Sequence, residues 1–291
     1  EVGVSKAKEL ALLLDVPLIA VDHMEGHLLS SLANRKGSID KLFPALGILV
    51  SGGHTELIKV NGVGKYEKIG ETLDDAIGEA FDKVARILDL GYPGGPIISE
   101  LAKKGDPDKY RLPVAMNGSG DLNVSYSGLK TAVLYLVRDL KGQSRVQEKE
   151  KRVSYDEQKQ KTGNFSEANE QVLSKEQICD VCASFQKAAV ETIVHKVRKA
   201  LQKYEFKTVL LGGGATNNIE LRKALRKVVR RQNIAGGKSI NFIYPYSKKL
   251  FQDNAAMIGV AAYLGGRENM LQGLEGIESL DREPGLVLGN H

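Results

Sequence analysis

Thr208-Val-Leu-Leu-Gly-Gly-Gly-Ala-Thr-Asn-Asn218 is the stretch that decides how this 291-residue chain is read. Thr208 to Gly212 reads as a buried strand, Gly212-Gly213-Gly214 as a loop, and Asn218 to Arg231 as a helix. A strand, a glycine turn and a helix start bring backbone N–H groups and the positive end of a helix dipole to one point, which suits an anion. A plain turn is the alternative. The helix is strongly basic, with Arg222, Lys223, Arg226, Lys227, Arg230 and Arg231. It presents either a solvated face or a stripe for nucleic-acid phosphates.

Strands and helices continue outward on both sides. Before the stretch, Lys175 to Gln202 has helical periodicity through Ile178, Val181, Cys182, Phe185, Ala189 and Ile193. Its Cys179 and Cys182 form a lone C-x-x-C with no second pair for a zinc ribbon and no thioredoxin-type strand ahead of it. They read as reduced packing residues of a cytosolic-type protein. Behind the stretch, Ile240 to Tyr244 is a strand. Phe251-Gln252-Asp253-Asn254 then opens the apolar helix Ala255 to Leu264, where Asp253 either caps the helix or offers an oxygen ligand.

Further toward the N-terminus, Leu46 to Val50 runs into Ser51-Gly52-Gly53-His54-Thr55 and the apolar pattern resumes over Leu57 to Val60. That is a hairpin with a glycine turn, either a plain tight turn or a loop whose N–H groups meet a ligand. Asp74 to Leu88 is an amphipathic helix carrying Asp82, Gly91 to Pro96 breaks the chain, and Ser127 to about Asp139 is a further helix. Gly142 to Lys175 is polar and poor in apolar residues, so it reads as a mobile surface insertion.

Near the front, Pro17 to Val21 reads as a buried strand leading into His23-Met-Glu-Gly-His27 and a helix. Histidines four apart on a helix share one face and can reach one metal ion. Another ligand must come from elsewhere. The alternative is that one histidine caps or packs while the other is solvated. A zincin has Glu directly after the first His, whereas Met24 stands there and Glu25 points off the histidine face, which weakens a peptidase reading.

A hydrophobic content of 42% supports a real core, and no apolar run is long enough to span a bilayer. The net charge of +5 and pI near 8.9 suit a polyanionic partner or ordinary solubility. The chain opens at Glu1, inside a helix expected over Val4 to Leu14, and reads as a fragment.

Taken in order, eight segments resemble the universal tRNA threonylcarbamoyladenosine synthesis family, formerly called O-sialoglycoprotein endopeptidases. They are His23-Met-Glu-Gly-His27, Leu49-Val-Ser-Gly-Gly-His-Thr55, Gly70-Glu-Thr-Leu-Asp-Asp-Ala, Gly78-Glu-Ala-Phe-Asp82-Lys, Gly91-Tyr-Pro-Gly-Gly95-Pro, Tyr126-Ser-Gly-Leu-Lys-Thr, Gly213-Gly-Ala-Thr-Asn-Asn218 and Gln252-Asp253-Asn-Ala-Ala-Met-Ile. The resemblance covers nearly the whole chain, and it is the shared order that makes it specific.

The resemblance implies an α/β fold of the actin-like, Hsp70-like two-lobed ATPase type with its ligand between the lobes. Residues 1–40, joined by 254–291, would be the remnant of an incomplete first lobe, and 41–253 the second lobe with an insertion at 142–175. By the same resemblance His23, His27 and Asp253 hold iron or zinc. Leu49, Val50, Ser51, Gly52, Gly53, Asp82, Gly95 and Asn218 fall on positions that hold threonylcarbamoyl-AMP.

The implied reaction moves the threonylcarbamoyl group to the exocyclic amine of an anticodon-loop adenosine in tRNA. It implies partner proteins of the synthesis complex, leaves a dimer open, needs no membrane, and suggests the cytoplasm, or mitochondria in a eukaryote. The family's strands and Ser-Cys-Asp phosphate loop do not precede Glu1, and Tyr126 replaces Phe. The bare chain is therefore expected to bind metal but transfer little. The competing expectations are an actin-like kinase or ATPase, and a non-catalytic scaffold of the same fold.

Overall fold

A computed structural model of the chain describes residues 2–116, 118–142, 172–237, 239–265, 270–283 and 288. Of the expected insertion at 142–175, all but residues 142 and 172–175 lies outside the described residues. The chain forms two compact units, one of Glu1–Gly78, Gly118–Val124 and Ile193–His291, the other of Glu79–Asn117 and Ser125–Thr192.

The first unit is built on a five-stranded mixed sheet. Its strands are β2 (Ala45–Val50), β3 (Thr55–Gly62), β4 (Lys65–Glu71), β5 (Thr208–Gly212) and β6 (Asn241–Ile243), in the order β4-β3-β2-β5-β6. All six residues of β2 and all five of β5 are buried. That is why both read as unbroken apolar runs and not as alternating ones. β2 pairs antiparallel with β3, from Ala45 opposite Val60 to Val50 opposite Thr55, so Ser51 to His54 form the expected hairpin turn. On its other side β2 runs parallel to β5, from Ala45 beside Thr208 to Leu49 beside Gly212. The two glycine loops therefore leave the same edge of the sheet, at the carboxyl ends of adjacent parallel strands, where α/β sheets bind ligands.

The helix α2 (His23–Leu29) lies on this sheet with Leu28 and Leu29 fully buried. Each contributes about 1.5–3 kcal/mol of apolar burial. Gly47 makes room for it, since a Cβ there would sit 2.8 Å from the Leu28 Cδ1. Against α2 packs α8 (Ala255–Gly265), and Gly26 permits the approach, because its Cβ would fall 3.0 Å from the Ile258 Cδ1. The expected boundary at residue 40 does not coincide with the units found. Residues 1–40 and 41–78 share one unit because α2 is seated on β2 and β5.

Also in this unit are α1 (Val2–Leu13), α7 (Ile219–Gly236), α9 (Gly273–Ser279) and a two-stranded ribbon of β1 (Leu18–Ile19) with β7 (Met270–Leu271). The strand expected over Pro17 to Val21 is found as two half-buried residues, Leu18 and Ile19, paired with Leu271 and Met270. Residues 118–124 return to the unit through the fully buried Lys196, whose ammonium reaches Ser119 Oγ, the Asp121 carbonyl at 3.1 Å and the Asp121 carboxylate at 3.3 Å. Three partners for three N–H donors let that charge be buried.

The second unit holds α3 (Ile77–Ile87) from Glu79 onward, α4 (Gly94–Ala102), α5 (Ser127–Leu140) and α6 (Lys175–Lys203) up to Thr192. Phe81 and Phe185 meet edge to face with ring centroids 4.9 Å apart. Gly105 touches the Cys179 carbonyl where no Cβ would fit, and the Asp180 carboxylate accepts from the Asp106 N–H at 2.7 Å. Cys179 and Cys182 are both free and buried, and burial, then Cys179, pushes the Cys182 thiol up to about 12. They are packing residues, as their lone spacing indicated.

Candidate metal centre and glycine loops

Asp22, not a histidine, caps α2. Its carboxylate accepts from the N–H groups of Met24 at 2.7 Å and Glu25 at 2.9 Å, and so fixes where the helix begins. His23 and His27 then face one another one turn apart, ring centroids 4.8 Å and planes at 86°. Both point at Asp253, with His27 Nε2 3.0 Å and His23 Nε2 3.5 Å from Asp253 Oδ1. Asp253 is available because Asn254 caps α8, accepting from the Met257 N–H at 3.0 Å.

These three residues fit a metal ion. Their ligand atoms all lie within 4.8 Å of one another. Ligand atoms around a tetrahedral ion at zinc distances are about 3.4 Å apart, close to both separations. His27 is buried, and its Nδ1 has no hydrogen-bond partner among the described residues. Burial and then the neighbouring His23 lower its pKa below the ordinary 6.5, against an opposing pull from Asp253. A neutral imidazole, the form that ligates, is the result. Asp253 and His23 stay largely exposed, which leaves the centre open on one side.

Behind the triad stand the glycine loops. Gly212 needs to be glycine because a Cβ would lie 2.3 Å from the His27 carbonyl oxygen. Gly213 has φ +89° and would bring a Cβ within 2.6 Å of the Val50 carbonyl oxygen. The loops after β2 and β5 therefore touch each other and the helix that carries the histidines. Gly78 does the same for the start of α3, where a Cβ would meet the Ser51 carbonyl at 2.7 Å and the Gly52 Cα at 2.9 Å. A Cβ on Gly52 or Gly53 would meet no described atom within 4 Å, so packing against the protein does not account for their small size.

The remaining expected site residues divide between the units. Leu49 and Val50 are buried at the end of β2, and Asn218 is the N-cap of α7, its side-chain oxygen accepting from the Leu221 N–H at 3.0 Å. In the second unit the Asp82 carboxylate accepts from the Gly94 N–H at 2.7 Å, one residue from the open position Gly95. Glu25, set aside as a peptidase base, instead accepts from the Tyr66 hydroxyl. Burial and then Glu25 hold that phenol far above its ordinary value.

His54 had no role assigned from sequence. It is exposed at the end of the hairpin turn, its N–H donating to Ser51 Oγ at 3.0 Å and its carbonyl accepting from the Ser51 N–H at 2.8 Å. The signal was its place directly after Ser51-Gly52-Gly53.

Residues 1–260 match the family model described as tRNA N6-adenosine threonylcarbamoyltransferase. A protein of that description from Chromobacterium violaceum is 44% identical over 261 residues, covering 89% of this chain and 66% of the relative. One from Protochlamydia amoebophila is 40% identical over 283 residues, 97% of this chain and 71% of the relative. One from Bordetella avium is 41% identical, with 96% and 69% covered. The chain thus spans about two thirds of the length of the curated relatives it matches.

Among solved structures, the crystal structure of T. kodakarensis HypF superposes with a TM-score of 0.56 at 17% identity, over 90% of this chain and 38% of that one. Full-length HypF in its phosphate- and nucleotide-bound form gives 0.51 at 14% identity, over 87% and 36%. These two likenesses speak to the fold alone, and they agree with the α/β, ATPase-type architecture expected from the sequence. With its histidine pair, both glycine loops and Asp253 all inside the matched residues, the chain belongs to the tRNA N6-adenosine threonylcarbamoyltransferase family.

Proposed function

We propose that this chain transfers the threonylcarbamoyl group from threonylcarbamoyl-AMP to the exocyclic N6 of an anticodon-loop adenosine in tRNA. The observation that carries the reading is the convergence of His23, His27 and Asp253 beside the two glycine loops. In the reaction a bond forms between N6 and the carbamoyl carbon, and the bond from that carbon to the phosphate oxygen breaks. AMP leaves with the electron pair and N6 gives up a proton. The anhydride is already activated, so the protein's work is positioning and charge stabilisation.

His23, His27 and Asp253 would hold one divalent ion, iron or zinc. When bound, that ion supplies Lewis-acid polarisation of the threonylcarbamoyl carbonyl and an anchor for the group. Backbone N–H groups of Ser51 to Gly53 and Gly212 to Gly214 are assigned to the AMP phosphate, at the edge where β2 and β5 end together. Leu49, Val50 and Asn218 shape that end of the site. Asp82 is assigned to a ribose hydroxyl, with Gly95 beside it leaving room for the nucleoside.

The exposed basic residues of α7 suit tRNA phosphates. Partner proteins of the synthesis complex would add contacts, and a cytoplasmic setting follows from the substrate. No described helix is long and apolar enough to cross a membrane. The test is nucleoside mass spectrometry of tRNA incubated with the chain, its partner proteins and threonylcarbamoyl-AMP. Threonylcarbamoyladenosine should form with wild type and fall to background with Asp253→Ala. Equal yields from both would contradict the assignment.

A further inference from the structure

Arg222, on the first turn of α7, makes contacts that no sequence feature announced. Its guanidinium Nη1 donates to the Thr216 carbonyl at 2.7 Å, inside the 3-10 turn Gly214–Asn217 of the second glycine loop. Thr216 is itself buried, and both its N–H, at 3.1 Å, and its hydroxyl donate to the Gly213 carbonyl. On the other side the guanidinium carbon lies 5.1 Å from the Phe251 ring centroid and 5.9 Å from that of Tyr244. Those two rings stack at 14° with centroids 6.4 Å apart. Arg226 steadies the outer ring, donating to the Tyr244 hydroxyl at 2.9 Å.

Phe251 is buried at the end of the 3-10 turn Lys248–Phe251, two residues before Asp253. Asn254 closes that turn from behind, its amide donating to the Lys249 carbonyl at 2.9 Å and the Gln252 carbonyl at 2.6 Å. One guanidinium thus touches the glycine loop and the turn that presents the carboxylate ligand. Asp253 itself is exposed and meets only the two histidines among the side-chain contacts of the described residues, so the turn sets where its carboxylate stands. A planar cation can donate in its plane and stack on its face at the same time, which neither Lys nor an apolar residue can do.

We infer that Arg222 is a positioning residue that couples the Gly213–Asn218 loop to the metal ligand Asp253, so that nucleotide and metal both bind weakly without it. The inference rests on the metal-centre reading above. Cobalt(II) alone and AMP alone serve as probes, by visible absorption and calorimetry, on wild type, Arg222→Met, Arg222→Lys and His27→Ala. Arg222→Met should keep its helical circular dichroism while losing at least tenfold in cobalt(II) affinity and in AMP affinity. Arg222→Lys should recover part of the AMP affinity through the Thr216 carbonyl but little of the cobalt(II) affinity.

Should Arg222→Met unfold, Phe251→Leu removes the stacking partner and should weaken cobalt(II) more than AMP. Wild-type cobalt(II) affinity and spectrum in Arg222→Met, with binding lost in His27→Ala, would overturn the role of Arg222 alone. Cobalt(II) binding that is absent in wild type or unchanged in His27→Ala would overturn the metal centre, and this inference with it.

Discussion

His27 carries the heaviest demand of any single residue, because its ring is buried, its Nδ1 has no partner among the described residues, and its Nε2 looks at a carboxylate. The four-residue spacing of the histidines made this pair legible in the sequence. What the spacing leaves open is which acidic or amide residue around position 253 caps the helix, since Asp and Asn both can. Here Asn254 caps it and Asp253 is left for the site.

The glycines are separable in the same way. Gly213→Val meets a left-handed φ and the Val50 carbonyl, so it should destabilise the protein, by on the order of 1–2 kcal/mol from φ alone. Gly53→Val meets open space, so it should stay within about 0.5 kcal/mol in stability while losing roughly 1.4 kcal/mol, tenfold, in AMP affinity. Thermal melts and calorimetry of the two variants check this pair.

Glu56 supplies a pH prediction. Burial raises its pKa above the ordinary 4.5, opposed first by Lys68. A carboxyl raised on folding stabilises below its unfolded pKa, and that contribution is lost as pH rises through the folded value. Glu56→Gln should therefore raise the melting temperature at pH 7 and leave it nearly unchanged at pH 4. Melts at the two pH values decide it.

Among the elements, those with strong apolar runs were readable to within a residue or two. The fully buried β2 and β5 are examples, as is α6, expected over Lys175 to Gln202 and found over Lys175–Lys203. β4 was not foreseen. It is an edge strand written Lys-Tyr-Glu-Lys-Ile-Gly-Glu, with only Tyr66 and Gly70 buried, so burial leaves almost no pattern in it. The helix α7 also continues past the expected Arg231 to Gly236, because Gln232 and Asn233 break the apolar pattern without breaking the helix.

The basic face of α7 is narrower than its sequence suggests. Arg222 and Arg226 are engaged with Tyr244, Phe242 and Phe251, whereas Lys227 and Arg230 are exposed. Reversing Lys227 and Arg230 to Glu should weaken tRNA binding and reduce the salt slope by about 2, roughly one unit for each phosphate left without its cation. Filter binding over a series of salt concentrations measures both. An unchanged slope would move the tRNA to another face.

Across the whole molecule, two compact units are joined by chain that passes between them more than once, including through the long α6. No composition signal marked those crossings, because α3 and α6 each continue through a unit boundary as uninterrupted helices. Leu10 and Leu13 of α1 and Leu14 directly after it are exposed, at 44%, 76% and 64%. Leu18 and Ile19 are half-buried in the ribbon with β7. An apolar face of that kind favours self-association. Leu13→Lys with Leu14→Lys should lower the mass seen by light scattering at high protein concentration without moving the melting temperature.

The claim on which the functional reading turns is that His23, His27 and Asp253 hold one metal ion. Elemental analysis of purified protein measures it most directly. Close to one iron or zinc per wild-type chain is expected, and near none in His27→Ala and Asp253→Ala that still fold. Equal metal content in wild type and both variants would contradict it.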